Sequence, residues 1–320
     1  MNLVKKVLQK FNGLHYRQEY LCVARESFTP NLYVYLVDNK QVIKDITNQH
    51  LFVGYCPLVF AFADMALPGN IQLIFTAAVL QPNDTFSKKD AIALLNLKKI
   101  KEQAAGNNCI LYYEGTAGKH FFQSSFHQFI SDLNNRWFNK KQGNVFLHSN
   151  LFKQVQIAYA IPRIIALITI RDAAGYNLFP TDLHGQADSS HYIISLRTGG
   201  KACAQVEAAG KLVLTQVDCR AYKTVYALGK NHMQPLRPKD QFPFGELSSA
   251  TLQWPIPQPA FSYKELTLLE AFTHGIHKIL LFTIVTEQQL TASTGTLAHI
   301  NNSYASWRYK NKQPGNYLLR

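Results

Sequence analysis

The sequence predicts a mainly β protein with small helices, closing into a β-barrel in its second half. Three observations predict it. Residues 151–320 alternate short apolar, β-rich runs with turn residues. Only brief helical stretches interrupt those runs, which is the pattern of a barrel with helical caps. The chain of 320 residues, 47% hydrophobic and 17% charged, is long enough for two domains that each bury a core. We divide it into residues 1–150 and 151–320.

In the second half, residues 163–170 form a strand, RDAAG is a turn, and YNLFP is a second strand that Pro180 is expected to stop, since proline brings no N–H to a ladder. HYIISLR, residues 191–197, is the next strand. TGGKACAQVEAAG then breaks at two glycines and runs as a short Ala-rich helix ending on Gly210, a left-handed cap. KLVLTQVDC is a strand and CRAYKTVYALGKNH a short helix. Ser262 followed by Glu265 reads as a capping box for a helix over LTLLEAF, and HKILLFTIVTEQQL is a long strand.

The first half reads as a strand-rich α+β domain. QEYLCVAR, NLYVYLV, CPLVFAFA and NIQLIFTAAVL are strands. Two helices follow, KKDAIALLNLKKIKEQAAG, capped by Ser87 with Asp90, and HFFQSSFHQFISDLNNRWFNKK. A second reading stays open, because the segment from NLYVYLV to CPLVFAFA resembles the one from ALITIRD to HYIISLR in plan. Val37 then falls opposite Ile170, Leu58 opposite Tyr192, and Gly69 opposite Gly210, an offset growing from about 133 to about 141. On that reading the first half is a degenerate copy that lacks the glycine loop and helix of TGGKACAQV.

Composition narrows the function. There is no run of about 18 apolar residues to span a bilayer, and MNLVKKVLQKFNGL lacks the apolar core of a secretory signal, so a cytoplasmic protein without membrane contact is expected. The five cysteines are scattered without a CxxC and read as reduced thiols. His274 and His277 lack partners at zinc spacing, so no metal is expected. The net charge of +13 calls for an anionic partner. Lys and Arg are spread evenly over both halves without a block, which favours a phosphorylated small molecule over nucleic acid.

Three features can carry chemistry. Asn177, Pro180 and Thr181 leave the opening hairpin with polar groups free to line a pocket, or simply decorate a turn. SLRTGGKA, residues 195–202, passes from a strand through two glycines into a helix, with Arg197 and Lys201 adding charge where helix N–H groups are unpaired. It is neither a GxxxxGK[ST] loop nor a GxGxxG fingerprint. GIH, residues 275–277, places His277 at the start of the last long strand.

In this order the features resemble the flavin reductase-like, FMN-binding split barrels, over about residues 155–305. The resemblance implies a six-stranded antiparallel split barrel in the C-terminal half, with FMN as cofactor and its phosphate at the loop and helix after S-L-R. It implies NAD(P)H as co-substrate, with hydride passing from nicotinamide to flavin. Asn177 and Thr181 match an Asn and a Ser/Thr near the flavin, and Ser195, Leu196 and Arg197 match the flavin-contacting strand end. Lys201 matches the lysine of the phosphate loop, and His277 the histidine of a G-D-H motif, here assigned as the catalytic position. Ile276 replaces the usual Asp of that motif, and Ala202 a common Ser/Thr, for which Thr198 can substitute. Ser190 and His191 replace a common proline pair. The family pattern of paired barrels implies either a homodimer or an intramolecular barrel pair. Two alternatives stand beside an NAD(P)H-dependent oxidoreductase: an FMN electron carrier or sensor without NAD(P)H activity, and a basic nucleic-acid-binding barrel using SYASWRYKNK.

Overall fold

The computed structural model of the protein describes residues 7, 19–25, 32–106, 108–138, 145–258, 260–292, 295–312 and 317–318. In chain order the strands of the first half are β1 (Tyr20–Arg25), β2 (Tyr33–Asp38), β3 (Gln41–Asp45), β4 (Leu51–Tyr55), β5 (Leu58–Ala63), β6 (Asn70–Thr76), β7 (Ala91–Ala105) and β8 (Asn108–His120). Helices α1 (Ser125–Phe138) and α2 (Ser149–Ala158) follow. The second half contains β9 (Arg163–Ile164), β10 (Ala166–Asp172), β11 (Gly175–Thr181), β12 (His184–Gln186), β13 (His191–Arg197), α3 (Lys201–Ala209), β14 (Lys211–Val217) and α4 (Tyr222–Leu228). It ends with the pair β15 (Phe244–Ser248) and β16 (Pro255–Pro257), then β17 (Ala260–His274), β18 (His277–Gln289), β19 (Thr296–Asn301), α5 (Asn302–Lys310) and β20 (Tyr317–Leu318). Two compact units result, one built on residues 32–162 with 300–312, the other on 163–299 with 22–25.

Each unit is organised by an antiparallel seven-stranded sheet. The second has the order β11-β10-β14-β17-β18-β13-β12. Laid flat, its edge strands would stand about 29 Å apart, six spacings of ~4.8 Å. Only Asp182 and Leu183 separate the end of β11 from the start of β12, a span of at most ~11 Å. The sheet therefore curls until its edges approach, and the interior fills with Ile168, Phe179, Leu214, Leu266 and Phe282. Helix α3 plugs this barrel with Ala202, Cys203 and Val206. Where the resemblance implies six strands there are seven, the shortest being β12.

The first sheet has the order β3-β2-β6-β7-β8-β5-β4, the same order strand for strand. Pairing makes the repeat quantitative. Asn70↔Lys98 corresponds to Lys211↔Thr267, and Ala105↔Asn108 to His274↔His277. Bulges at Phe75/Thr76, Asn96/Leu97 and Lys99/Lys101 recur at Gln216/Val217, Glu265/Leu266 and Leu268/Glu270. Leu36↔Leu73 matches Ile168↔Leu214, and Val59↔Glu114 matches His191↔Thr283. The counterpart of Val37 is thus Thr169 rather than Ile170, and that of Tyr192 is Phe60 rather than Leu58. Between β5 and β6 only residues 64–69 intervene, without a helix, where the second barrel has 198–210 and α3.

Several local expectations change. KKDAIALLNLKKIKEQAAG is strand β7, not a helix. Its Ala, Leu, Lys and Glu are good helix formers, but Leu95 and Leu97 face Leu73 and Ile71 on one side while Leu94 and Asn96 face the other, a period of two. Ser87 and Asp90 do form a box, with Ser87 Oγ donating to Asp90 Oδ2 at 2.7 Å, but it closes a single turn. LTLLEAF lies in strand β17; Glu265 is fully buried and accepts from the Thr251 and Leu252 amides at 2.9 and 2.8 Å, so it caps nothing there. Pro180 does not stop β11 but pairs with Leu167 inside it, tolerated because β11 is an edge strand. SYASWRYKNK is largely helix α5, with Tyr304 fully buried, which removes the exposed aromatic strand on which the nucleic-acid reading rested. MNLVKKVLQKFNGL, in which no secretory signal is expected, lies outside the described residues except for Val7.

Candidate functional site

The site grows from the end of β13. Arg197 is its last residue and is exposed; register sets it opposite His277, the first residue of β18. The turn that follows is fixed by the backbone: Thr198 N and Oγ1 both donate to the Ile276 carbonyl, at 2.9 and 3.2 Å, and Gly200 N donates to Arg197 O at 3.1 Å. Gly200 is the N-cap of α3, and no side chain caps that end, so the first helical N–H groups are not closed off by an N-cap side chain. A Cβ on Gly199 would meet nothing within 4 Å, whereas one on Gly200 would lie 3.4 Å from both Arg197 O and His232 O. The loop is thus tight at Gly200 and open above Gly199, with the exposed Lys201 beginning the helix.

Beneath the turn lies a buried polar pair. Ser195 Oγ is 3.1 Å from His277 Nδ1, and the two residues are 2% and 1% exposed. Burial, reinforced by the Arg197 charge and opposed by Asp182, pushes the His277 imidazole down to about 4, so it is neutral at pH 7. A second histidine joins it. His232, in the 3-10 turn Gly229–Met233, donates from Nε2 to Pro180 O at 2.7 Å and lies on the Phe179 ring at 4.8 Å. Burial lowers it too, and it feels both Asp182 and Arg197. Asp182, between β11 and β12, accepts from His299 Nδ1 at 2.8 Å, and His299 Nε2 is 2.9 Å from the Tyr226 hydroxyl.

Of the residues singled out from sequence, Ser195, Arg197, Thr198, Lys201 and His277 gather around this turn. Pro180 joins them through its carbonyl. Thr181, 8% exposed, closes the β11 ladder opposite Ala166. Leu196 points into the barrel core. Asn177 is fully buried, with its amide engaged: Nδ2 donates to Gln205 Oε1 at 2.7 Å and Asn231 O at 3.1 Å, and Oδ1 accepts from Leu178 N at 2.8 Å. It fastens α3 and the 229–233 turn to the barrel. Sequence reasoning missed Asp182 and His232, which reach the site only through long-range packing and carry no local motif. In the first barrel, Asn108 holds the register position of His277 and Ala63 that of Ser195, so the pair is not repeated.

None of the five cysteines is joined in a disulfide, and among the described residues no group of three His, Cys, Asp or Glu side chains is arranged to hold a metal ion. No helix among them is long and apolar enough to cross a membrane.

What barrel and site define is a mainly β, antiparallel protein with a basic glycine turn over a buried Ser–His pair. No protein-family description and no curated protein matches the sequence. Among solved structures the chain is similar to an FMN-binding protein from Thermus thermophilus, at 22% identity and a TM-score of 0.36, over 40% of this chain and 72% of that one. It is also similar to the NADH:FAD oxidoreductase SgcE6 of Streptomyces globisporus, at 11% identity and 0.41, over 46% and 87%. A third is BorF, the flavin reductase component of a bacterial two-component tryptophan halogenase, at 11% and 0.39, over 46% and 96%.

Proposed function

We propose that the second barrel binds FMN and works as a flavin reductase-type module that accepts hydride from NAD(P)H. The observation that carries this reading is the turn 198–201: two glycines, one open above its Cα, lead into an uncapped helix between Arg197 and Lys201. That arrangement fits a phosphate, because backbone N–H groups, the helix dipole and two full charges converge on one anion. Thr198 is the nearby hydroxyl, though its Oγ1 already donates to Ile276 O.

Bound flavin would supply the redox chemistry itself. The chain's part is to hold and orient it: Arg197 and Lys201 at the phosphate end, the Ser195–His277 pair beneath the turn. Kept neutral by burial, His277 offers no positive charge under the ring site and acts as a positioning group. Thr181 and Pro180 line the approach from β11, with the Pro180 carbonyl held by His232. Because the first barrel lacks the glycine turn and the Ser–His pair, the reading gives one flavin per chain. The near-complete burial of His277 also favours a second reading, an FMN carrier or sensor that nicotinamide does not reduce.

The test is the absorbance of the purified protein after adding FMN and removing the excess, followed by anaerobic NADH and NADPH. Retained flavin at one per chain that bleaches with nucleotide supports the reductase, and Lys201→Ala then weakens retention about tenfold or more, the scale of one charge-assisted contact. Retained flavin that does not bleach supports the carrier. No retention sinks both.

A further inference from the structure

Three side chains of the second unit form a carboxylate–imidazole–hydroxyl chain that the flavin reading does not use. Asp182 lies between β11 and β12, His299 in β19 and Tyr226 in α4, so residues 117 and 73 apart in sequence are brought together. Asp182 Oδ2 accepts from His299 Nδ1 at 2.8 Å, which puts the hydrogen of the neutral ring on Nδ1 and leaves Nε2 an acceptor. The Tyr226 hydroxyl, 2.9 Å from Nε2, is then the donor. A carboxylate that fixes the tautomer of an imidazole, which in turn accepts from a hydroxyl, is the arrangement that makes a hydroxyl nucleophilic, and it is recognised by geometry rather than by chain order. The chain is open to solvent, with the His299 and Asp182 side chains 26% and 20% exposed and Tyr226 half-buried. Ion pairs in such places add little stability, so stability alone does not account for it.

We propose that these residues are a second reactive centre that cleaves small aryl esters, with Tyr226 Oη as nucleophile, His299 as its base and Asp182 as the group orienting that base. The surroundings point to an aromatic substrate. Tyr222, one helical turn before Tyr226 on the same face of α4, is partly exposed, as are Tyr176 and Phe244, and all four pack against one apolar cluster. Rings gathered on that cluster offer an aryl ester edge-to-face and offset contacts. In the first step Tyr226 Oη bonds to the ester carbonyl carbon, the bond from that carbon to the aryl oxygen breaks, and the phenolic proton passes through His299 Nε2 to the leaving oxygen. Water then attacks the acyl carbon, and its proton returns through His299 to Tyr226 Oη, so ester and water give acid and phenol.

The test uses the full chain without flavin, which makes it independent of the flavin reading. Benzenesulfonyl fluoride is the trap, since the Tyr226 Oη–S bond replaces S–F and the product is not turned over; 4-nitrophenyl acetate is the substrate. Expected is modification of Tyr226 about tenfold or more faster than of Tyr309, the 72% exposed internal reference, with loss of nitrophenolate release in the modified protein. Tyr226→Phe abolishes both reactions. His299→Ala slows both about a hundredfold, and added imidazole restores them, which a structural role alone would not allow. Asp182→Asn, nearly isosteric, slows both with a melting temperature close to the parent's and serves where His299→Ala does not fold. Modification of Tyr309 as fast as of Tyr226, ester cleavage that survives Tyr226→Phe, or rates unmoved by Asp182→Asn overturns the proposal.

Discussion

Asn177→Ala separates a structural from a ligand-binding role for the most deeply buried residue of the candidate site. The substitution strips an acceptor from Leu178 N and donors from Asn231 O and Gln205 Oε1. The first two lie among fully buried residues, where an abandoned polar group costs about 1–3 kcal/mol; Gln205 is half-buried and can turn to water. A loss of about 3 kcal/mol follows, in the lower half of the range for two such groups, and it falls on the attachment of α3 and the 229–233 turn. Hydrogen exchange on flavin-free protein reads it locally: amides of β11 and α3 should lose roughly a hundredfold in protection, at ~1.4 kcal/mol per factor of ten. Amides of β7 and β8 should not change. A fall below about fivefold, accompanied by lost flavin affinity, would refute the structural assignment and return Asn177 to the ligand.

Gly175→Ala should destabilise the second unit by more than about 1 kcal/mol in denaturant titration, because φ is +134° and a Cβ there would stand 2.5 Å from Arg237 O. Gly115→Val should loosen α2 from β8 in the first unit, read by exchange of the α2 amides, since the new side chain would strike Gln154 Oε1 and lie 2.7 Å from Leu58 Cδ2. His120, His184 and His277 are each pushed down to about 4 by burial, below the ordinary 6.5. The unfolded chain then binds protons that the folded one refuses, so stability is full above pH ~6.5 and declines toward pH ~4. Melting temperatures at pH 7 and 5 check the slope, and His184→Gln should flatten it.

Much of the barrel was legible because its strands announce themselves by composition. HYIISLR and KLVLTQV are β-rich runs with turn residues at both ends, and both strands lie where the sequence puts them. Gly210, at φ +61°, ends α3 as its position predicts. The long strands β7 and β17 were hidden for the opposite reason. They are built from Ala, Leu, Lys and Glu, and their identity comes from partners far away in sequence rather than from local preference. The glycine turn and Lys201 could be read locally, since a strand, two glycines and a helix start are contiguous. Asp182 and His232 could not, because the contact between His232 and Pro180 joins residues 52 apart.

The two barrels locate where function can reside. Three bulges fall at matching register positions in both central sheets, and bulges set local bend and twist. Strand order and local bend are therefore encoded in features the copies share, and neither α3 nor the 244–257 hairpin is needed for them, since the first unit lacks both. Those insertions are free to serve chemistry. In the second barrel α3 and the loop before it bring the glycine turn and Lys201, and the separate 229–233 turn brings His232. The same strand order thus carries a basic glycine turn in one unit and none in the other. The difference arises from connections between strands, not from the strands themselves.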